Sequence, residues 1–232
     1  MLQFRQPVNA QELEQIQRLR YRVYCQEKQF IDSSQYPDQR ETDEYDQYAT
    51  QFLFFDSATP DKLIGCFRIV LANPLGFPLE SEFGFRLDHN IRQQTAEMSR
   101  LIIDPQYRGR GDEIFRAMIK TGYLFCRQHG ARYFIAGVER YLWERFKQLG
   151  IVAEQILPGH WYMNGFVTPF YMDWVKTEAF YAETAPHYLH YLHARTPEHV
   201  WLPASKFSEV MAQPWTTARW SMTCEVYALT AA

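Results

Sequence analysis

Glu97-Met98-Ser99-Arg100-Leu101-Ile102-Ile103-Asp104-Pro105-Gln106-Tyr107-Arg108-Gly109-Arg110-Gly111 is the stretch on which the fold turns. Ala96 to Asp104 reads as a strand, with Met98, Leu101 and Ile103 apolar. Beyond Gly111, the apolar residues Ile114, Phe115, Met118, Ile119, Gly122 and Phe125 recur at helical spacing to about His129, and Gly130 stops that helix. The junction between them carries Gln106-x-x-Gly109-x-Gly111. A helix start leaves backbone N–H groups unpaired at the positive end of the helix dipole, so it can hold a pyrophosphate. The glycines admit a ligand close to the backbone, and Arg108 and Arg110 add charge. No Gly-Lys-Ser/Thr follows, and the third glycine of a dinucleotide fingerprint is missing.

Working outward, Ala10 to Glu27 reads as a helix on Leu13, Ile16, Leu19, Val23 and Tyr24, with Asn9 as its N-cap. Residues 32–48 are polar and read as a loop. Gln51 to Phe55 and Lys62 to Leu71 read as a strand pair, and Asn73 to Glu82, punctuated by Pro74, Gly76 and Pro78, as a loop. After the central helix come a strand over Ala131 to Val138, a short helix over Arg140 to Leu149 and a strand over Thr168 to Val175. The βαβα order predicts an α/β domain. Beyond Lys176 the character changes. Glu178 to Arg195 reads as a helix interrupted near Pro186, then a loop with Pro197, Pro203 and Pro214, then a half-exposed strand over Arg219 to Leu229. The expected organisation is a core over residues 1–176 with residues 177–232 packing on it.

A net charge of −3 argues against a general nucleic-acid binder. Between Asp104 and Gly150, however, nine basic residues face five acids, a local excess of +4. A positive face around Arg108, Arg110, Arg116 and Lys120 suits phosphates or an acidic carrier protein. No stretch approaches the length of a membrane span, and the first residues lack the apolar run of a signal peptide. Cys25, Cys66, Cys126 and Cys224 are scattered and read as reduced thiols of a cytoplasmic protein. His187, His190 and His193 share one helical side, but no fourth ligand accompanies them, so no metal site is expected.

The strand–QxxGxG–helix unit resembles the acyl-CoA-binding signature of the GNAT superfamily. Four further segments extend the likeness: Leu19-Arg20-Tyr21-Arg22-Val23-Tyr24, Glu41-Thr42-Asp43-Glu44-Tyr45-Asp46, Gly65-Cys66-Phe67-Arg68 and Glu97-Met98-Ser99-Arg100. In this order they resemble acyl-homoserine-lactone synthases, N-acyl amino acid synthases and the acyltransferases associated with exosortase systems, over roughly residues 15–150. The resemblance implies a GNAT-type fold: a central mixed, splayed sheet flanked by helices, here with a helix-plus-strand extension at the C-terminus. It implies an N-acyltransferase that takes an acyl group from acyl-carrier protein or acyl-CoA and gives it to a small amine such as an amino acid. The pantetheine donor is a co-substrate, and no cofactor is permanently bound. By the same resemblance Arg20, Tyr24, Phe30, Asp43, Asp46 and Arg68 shape the acceptor and acyl pocket. Leu101, Ile102, Ile103, Gln106, Tyr107, Arg108, Gly109, Arg110 and Gly111 hold the donor. Phe30 stands where lactone synthases carry a tryptophan, which counts against S-adenosylmethionine as acceptor. A lactone synthase and a catalytically silent lipid- or protein-binding module are the alternatives.

The residues have a chemical reading of their own. An amine nucleophile must lose a proton while it is held against the thioester. Glu97, on the strand beside the phosphate loop, is the candidate base, with Ser99 and Arg100 next to it. Arg68 or Arg100 suits an acceptor carboxylate through a bidentate pair, with Asp43 and Asp46 orienting the arginines. Tyr107 is placed to return a proton to the leaving thiolate. Strand alternation puts Glu97 and Ser99 on one face and Arg100 on the other, unless the strand is bulged.

Overall fold

A computed structural model describes residues 2–56, 58–162, 164–196, 204–215 and 222–223. The chain opens on a short edge strand, β1 (Leu2–Arg5), whose Leu2 and Phe4 are buried. Helix α1 (Ala10–Tyr21) is capped as expected, with Asn9 Oδ1 accepting from the Glu12 N–H at 2.9 Å. It does not run on to Glu27 as an α-helix. Residues Arg22–Glu27 widen into a π-helical turn, and the Tyr24 carbonyl then accepts from the N–H groups of Phe30 and Ile31.

The expected strand pair is longer than its apolar runs, as β2 (Ala49–Asp56) and β3 (Thr59–Leu71). The segment expected as a loop over Asn73 to Glu82 contains a helix, α2 (Pro78–Phe83). Pro78 sits in its first turn, where its fixed φ suits a helix and its missing N–H costs nothing. Glu80 closes a capping box on the Phe77 N–H. Then follow β4 (Arg86–Leu87), α3 (His89–Arg92) and β5 (Thr95–Ile103). A 3₁₀ turn over Pro105–Arg110 leads into α4 (Gly111–Gln128). The remainder is β6 (Tyr133–Glu139), α5 (Arg140–Gln148), β7 (Ala153–Gln155), β8 (His160–Tyr162), β9 (Gly165–Asp173), α6 (Trp174–Thr184), α7 (Pro186–His193), α8 (Ala204–Ala212) and β10 (Met222–Thr223). Helix α8 lies within the segment expected as a proline-rich loop. Of the expected C-terminal strand, only Met222–Thr223 falls among the described residues, paired antiparallel with Arg86–Leu87.

One sheet runs in the order β1-β2-β3-β5-β6-β9-β7, with β8 also on β9. Its pairings are antiparallel except β5 with β6, which is parallel. Helix α4 lays Ile114, Phe115, Met118, Ile119 and Phe125 on one face, where they pack with Phe52, Phe67, Met98 and Phe134. Each such buried side chain contributes about 1.5–3 kcal/mol. Tyr181, Tyr188, Leu192 and Phe207 from α6, α7 and α8 belong to the same cluster. The opposite face packs Leu19, Val23, Cys66 and Ile102 against α1, and Val70, Phe77, Leu79 and Ile135 beneath α2.

Candidate active site

The site begins where the parallel pair comes apart. β5 and β6 are in register only at Thr95–Tyr133, Ala96–Phe134 and Glu97–Ile135, yet β5 continues to Ile103 and β6 to Glu139. Their diverging ends open a cavity of about 680 Å³. β5 also changes phase within this gap. Cys66 pairs with Ile102 and Arg68 with Ser99, so β5 spends one more residue than β3 between the two pairs. Arg100 takes up the excess at φ +54°, a left-handed conformation that a non-glycine residue rarely adopts. The expected alternation therefore fails. Ser99 and Arg100 both reach the ion pairs described next, while Met98, Leu101 and Ile103 face the α4 core. The cavity is lined from both faces, by Glu97, Ser99, Arg100 and Tyr24 on one and by Met98, Leu101, Phe115 and Phe146 on the other. It passes through the sheet from a polar chamber to an apolar one.

Three arginines and three acids form a closed lattice beneath the polar chamber. Glu41 accepts from Arg20 and from Arg100, the latter at 2.9 Å. Asp43 accepts from Arg68 Nη2 at 2.6 Å and from Arg100 at 3.0 Å. Asp46 accepts from Arg20 and Arg68, both at 2.7 Å. Arg68 Nε finishes on the Ser99 hydroxyl at 2.9 Å. Burial raises all three acids, but the arginines outweigh it and hold each below the usual carboxylate range. The expected role of Arg68 as a carboxylate anchor does not fit this arrangement. Its guanidinium is fully buried, bidentate to Asp43 and away from the cavity wall. Arg100 does reach the cavity, with its charge matched by Glu41 and Asp43 and its guanidinium carbon 5.5 Å from the Tyr24 ring centre.

Glu97 stands apart from the lattice. It is buried, makes no ion pair among the described residues and lines the cavity. Its Oε2 accepts from the Leu79 N–H at 2.9 Å, in the first turn of α2. Burial is the largest influence on its carboxyl, which is pushed up to about 8, although Leu79, Arg68 and Arg100 each favour the anion. Glu80, fully buried, fixes α2 in place by accepting from Phe77, Leu87 and Arg92.

At the other end of the cavity the turn before α4 contributes Arg108, Gly109 and Gly111. No contact in the protein demands glycine at 109: a Cβ there would meet nothing within 4 Å. The open space lies at the mouth of the cavity and at the helix start, where anions are favoured. Gly109→Asp should therefore leave the fold intact and abolish binding of an acyl-CoA donor, with Gly109→Ala close to wild type. Isothermal titration checks this, and undiminished affinity of the Asp variant removes the loop from the donor site. The basic face is less free than its sequence suggests. Arg108 pairs with Glu27, Arg110 with Asp56 and Glu113, and Arg116 with Asp112, while Lys120 is buried and donates to the Tyr191 carbonyl.

A model of the N-acyl amino acid synthase FeeM family matches residues 15–152. The chain belongs to this family. Members of the FeeM family are N-acyltransferases. No curated protein matches the sequence. Among solved structures, the CoA-dependent acyl-homoserine lactone synthase BjaI, with SAM and isopentyl-CoA, is 20% identical over 83% of this chain and 87% of its own, with a TM-score of 0.60. The AHL synthase LasI is 15% identical over 75% and 89%, with a TM-score of 0.58. FeeM itself, from uncultured soil microbes, is 16% identical over 78% and 94%, with a TM-score of 0.57. At such identity these likenesses show the fold, a GNAT-like acyltransferase architecture.

Of the residues singled out in sequence, this FeeM-family chain brings Tyr24, Phe30, Glu97, Ser99, Arg100, Leu101, Ile102, Ile103, Arg108, Gly109 and Gly111 to the cavity wall. Arg20, Asp43, Asp46 and Arg68 stand behind that wall as the ion-pair lattice. Gln106 lines a separate shallow groove with Arg18, Arg22 and Lys62. Tyr107 does not line the cavity, and the Lys62 ammonium lies 5.6 Å from its ring centre, which removes the geometric basis for its role at the leaving thiolate. Sequence reasoning missed Glu41, fully buried and shared by two arginines, although its spacing of two from Asp43 in an acidic run was a usable signal. It also missed Glu82 and Tyr162, which line the cavity and hydrogen-bond each other. Among the described residues no helix is long and apolar enough to cross a membrane.

Proposed function

We propose that this protein transfers an acyl group from a pantetheine thioester, carried by acyl-carrier protein or CoA, to the amine of an amino acid or a related small molecule. The observation that carries the reading is the cavity through the splayed sheet, which joins the phosphate loop, an apolar chamber and Glu97 in one space. The phosphate end of the donor rests at the start of α4, and its pantetheine arm lies along the unpaired edges of β5 and β6. The acyl chain enters the chamber of Met98, Leu101, Phe115 and Phe146. The amine waits on the Glu97 side and attacks the thioester carbonyl directly. A C–N bond forms, the C–S bond breaks, the amine proton passes to Glu97 directly or through one water, and the thiolate takes a proton to leave as thiol. Ser99 and Arg100 hold the wall of the polar chamber, with the ion-pair lattice fixing their positions. The setting is the cytoplasm, in keeping with buried free thiols at Cys25, Cys66 and Cys126. We further propose that residues 1–176 form the catalytic core and residues 177–232 an extension that packs on it.

Lipid extracts from cells producing the protein, compared by mass spectrometry with extracts from cells producing Glu97→Gln, test this. New N-acyl amino acids or N-acyl amines that depend on Glu97 are expected. Acyl-homoserine lactones point instead to a lactone synthase, and the absence of any acyl product points to a silent module.

A further inference from the structure

Strand β8 and the start of β9 form a hairpin with two different faces. Its inner face roofs the polar chamber. Tyr162 and Val167 line the cavity, the Tyr162 hydroxyl donates to Glu82, and the His160 ring lies 4.2 Å from that of Phe83. At the tip, Asn164 Nδ2 donates to the Gln29 carbonyl. The roof is thus fastened to the end of α2 on one side and to the chain just beyond Arg22–Glu27 on the other.

Side-chain alternation turns Trp161 and Phe166 to the outer face. They are cross-strand partners whose rings meet edge to face at 6.4 Å, and they are 74% and 49% exposed. The strands around them are free of charge. From Gln155 to Met172 the sequence holds no Asp, Glu, Lys or Arg, although 22% of the chain is charged. An acidic carrier protein finds nothing to pair with on such a face. The arginines suited to it, Arg108 and Arg110, are on the turn before α4. A second copy of this chain fits no better. Aromatic side chains of about 150–250 Å² each, exposed to these extents, offer roughly 200–300 Å² together. A stable dimer needs about 800 Å² from each partner. A bilayer surface makes no such demand. Its headgroup region takes up Trp and other aromatic rings, and an uncharged hairpin enters it without stripping water from ions.

We infer that the outer face of the β8–β9 hairpin docks on a lipid bilayer, with Trp161 and Phe166 seated among the headgroups. The binding is weak and reversible, as two rings allow. It brings the cavity roof to the lipid surface. On the acyl-transfer reading above, the product carries an acyl chain and partitions to that same surface. The docking itself rests on the hairpin and not on that reading.

The test uses the purified full-length protein without donor or acceptor, sedimented with vesicles of phosphatidylcholine alone across a range of lipid concentrations. Co-sedimentation is expected, and it should persist at high salt because no charge carries it. The double variant Trp161→Thr/Phe166→Thr should bind the vesicles at least about tenfold more weakly. Threonine suits a strand, and neither ring lines the cavity, so thermal unfolding and the affinity for an acyl-CoA donor should be unchanged in the variant. Three results overturn the inference: no binding to the vesicles, binding that the double variant retains, or binding that needs anionic lipid and is lost in salt. Concentration-dependent dimerisation that the double variant loses overturns it too, and assigns the face to a second copy. Donor titration separates this outcome from the acyl-transfer reading. Vesicle binding without donor binding leaves the docking standing and removes that reading, and donor binding without vesicle binding does the reverse.

Discussion

Glu97→Gln should lower kcat by roughly 10²-fold or more while the donor binds as before. The amide is close to the carboxyl in shape and can still accept from the Leu79 N–H, so the fold and the start of α2 are kept. What it cannot do is take a proton from the attacking amine. The pH profile gives a second, independent reading. The Glu97 carboxyl is pushed up to about 8 by burial, so at pH 7 most molecules hold it protonated and unable to act as a base. The competent fraction grows as pH rises through about 8, and kcat/KM should climb over the same interval. In Glu97→Gln that limb disappears, leaving only the titration of the acceptor amine at its own pKa. Steady-state rates between pH 6 and 10 for both proteins, with one acceptor, decide the matter. A variant with full activity and an unchanged profile places the base elsewhere.

Arg68→Met should be the most damaging change to stability. It leaves Asp43 and Asp46 largely buried without the cation that donates to both. Removing one partner of a buried ion pair costs about 3–5 kcal/mol, a large share of the roughly 5–15 kcal/mol that holds a domain folded. The deficit should itself depend on pH. In the wild type the folded-state pKa values of Asp43 and Asp46 are depressed, so their contribution is present above the unfolded aspartate value of about 3.9 and is lost as pH falls through the folded values. In the variant Asp43 keeps only Arg100 and Asp46 only Arg20, so the two acids have lost the share of that stabilisation that Arg68 supplied. The gap between the two melting temperatures should be widest near neutrality and narrow below about pH 4. Thermal unfolding followed by circular dichroism across that range checks it, and a gap that stays constant down to pH 3 would contradict the ion-pair account.

The central unit of the fold was legible because it obeys simple periods. The strand before Pro105, the apolar stripe of α4 and the stop at Gly130 all follow from local pattern, and their order implied a parallel pair with a crossover helix. The edge strand β1 was not legible, because four residues with two buried side chains carry too little period to read. Helix α2 was hidden by Pro74, Gly76 and Pro78, which signal a loop, although Pro78 opens the helix and Glu80 caps it. The site was legible by residue type and not by geometry. Glu97, Arg100, Asp43 and Asp46 could be picked out, but which acid met which arginine depended on tertiary contacts across 20 to 60 residues of sequence. The saturation of Arg68 and the burial of Lys120 are likewise tertiary outcomes that composition does not reveal.

The bulge at Arg100 has a consequence for how the family can be recombined. Residues before it and residues after it are out of phase on the same strand, so one extra residue separates two incompatible reading frames of inward and outward side chains. A chimera that joins the Glu97 end of one relative to the phosphate loop of another must keep the count on each side of Arg100. Dropping or duplicating a single residue there would exchange the Leu101–Ile103 side of the strand, which packs on the α4 core, with the Ile102 side, which packs on the α1 cluster. Crossovers are safer in the segment after Pro105, beyond the phase change. The strand thus acts as a ruler with one displaced mark, and that mark limits which pieces of related sequence can be exchanged.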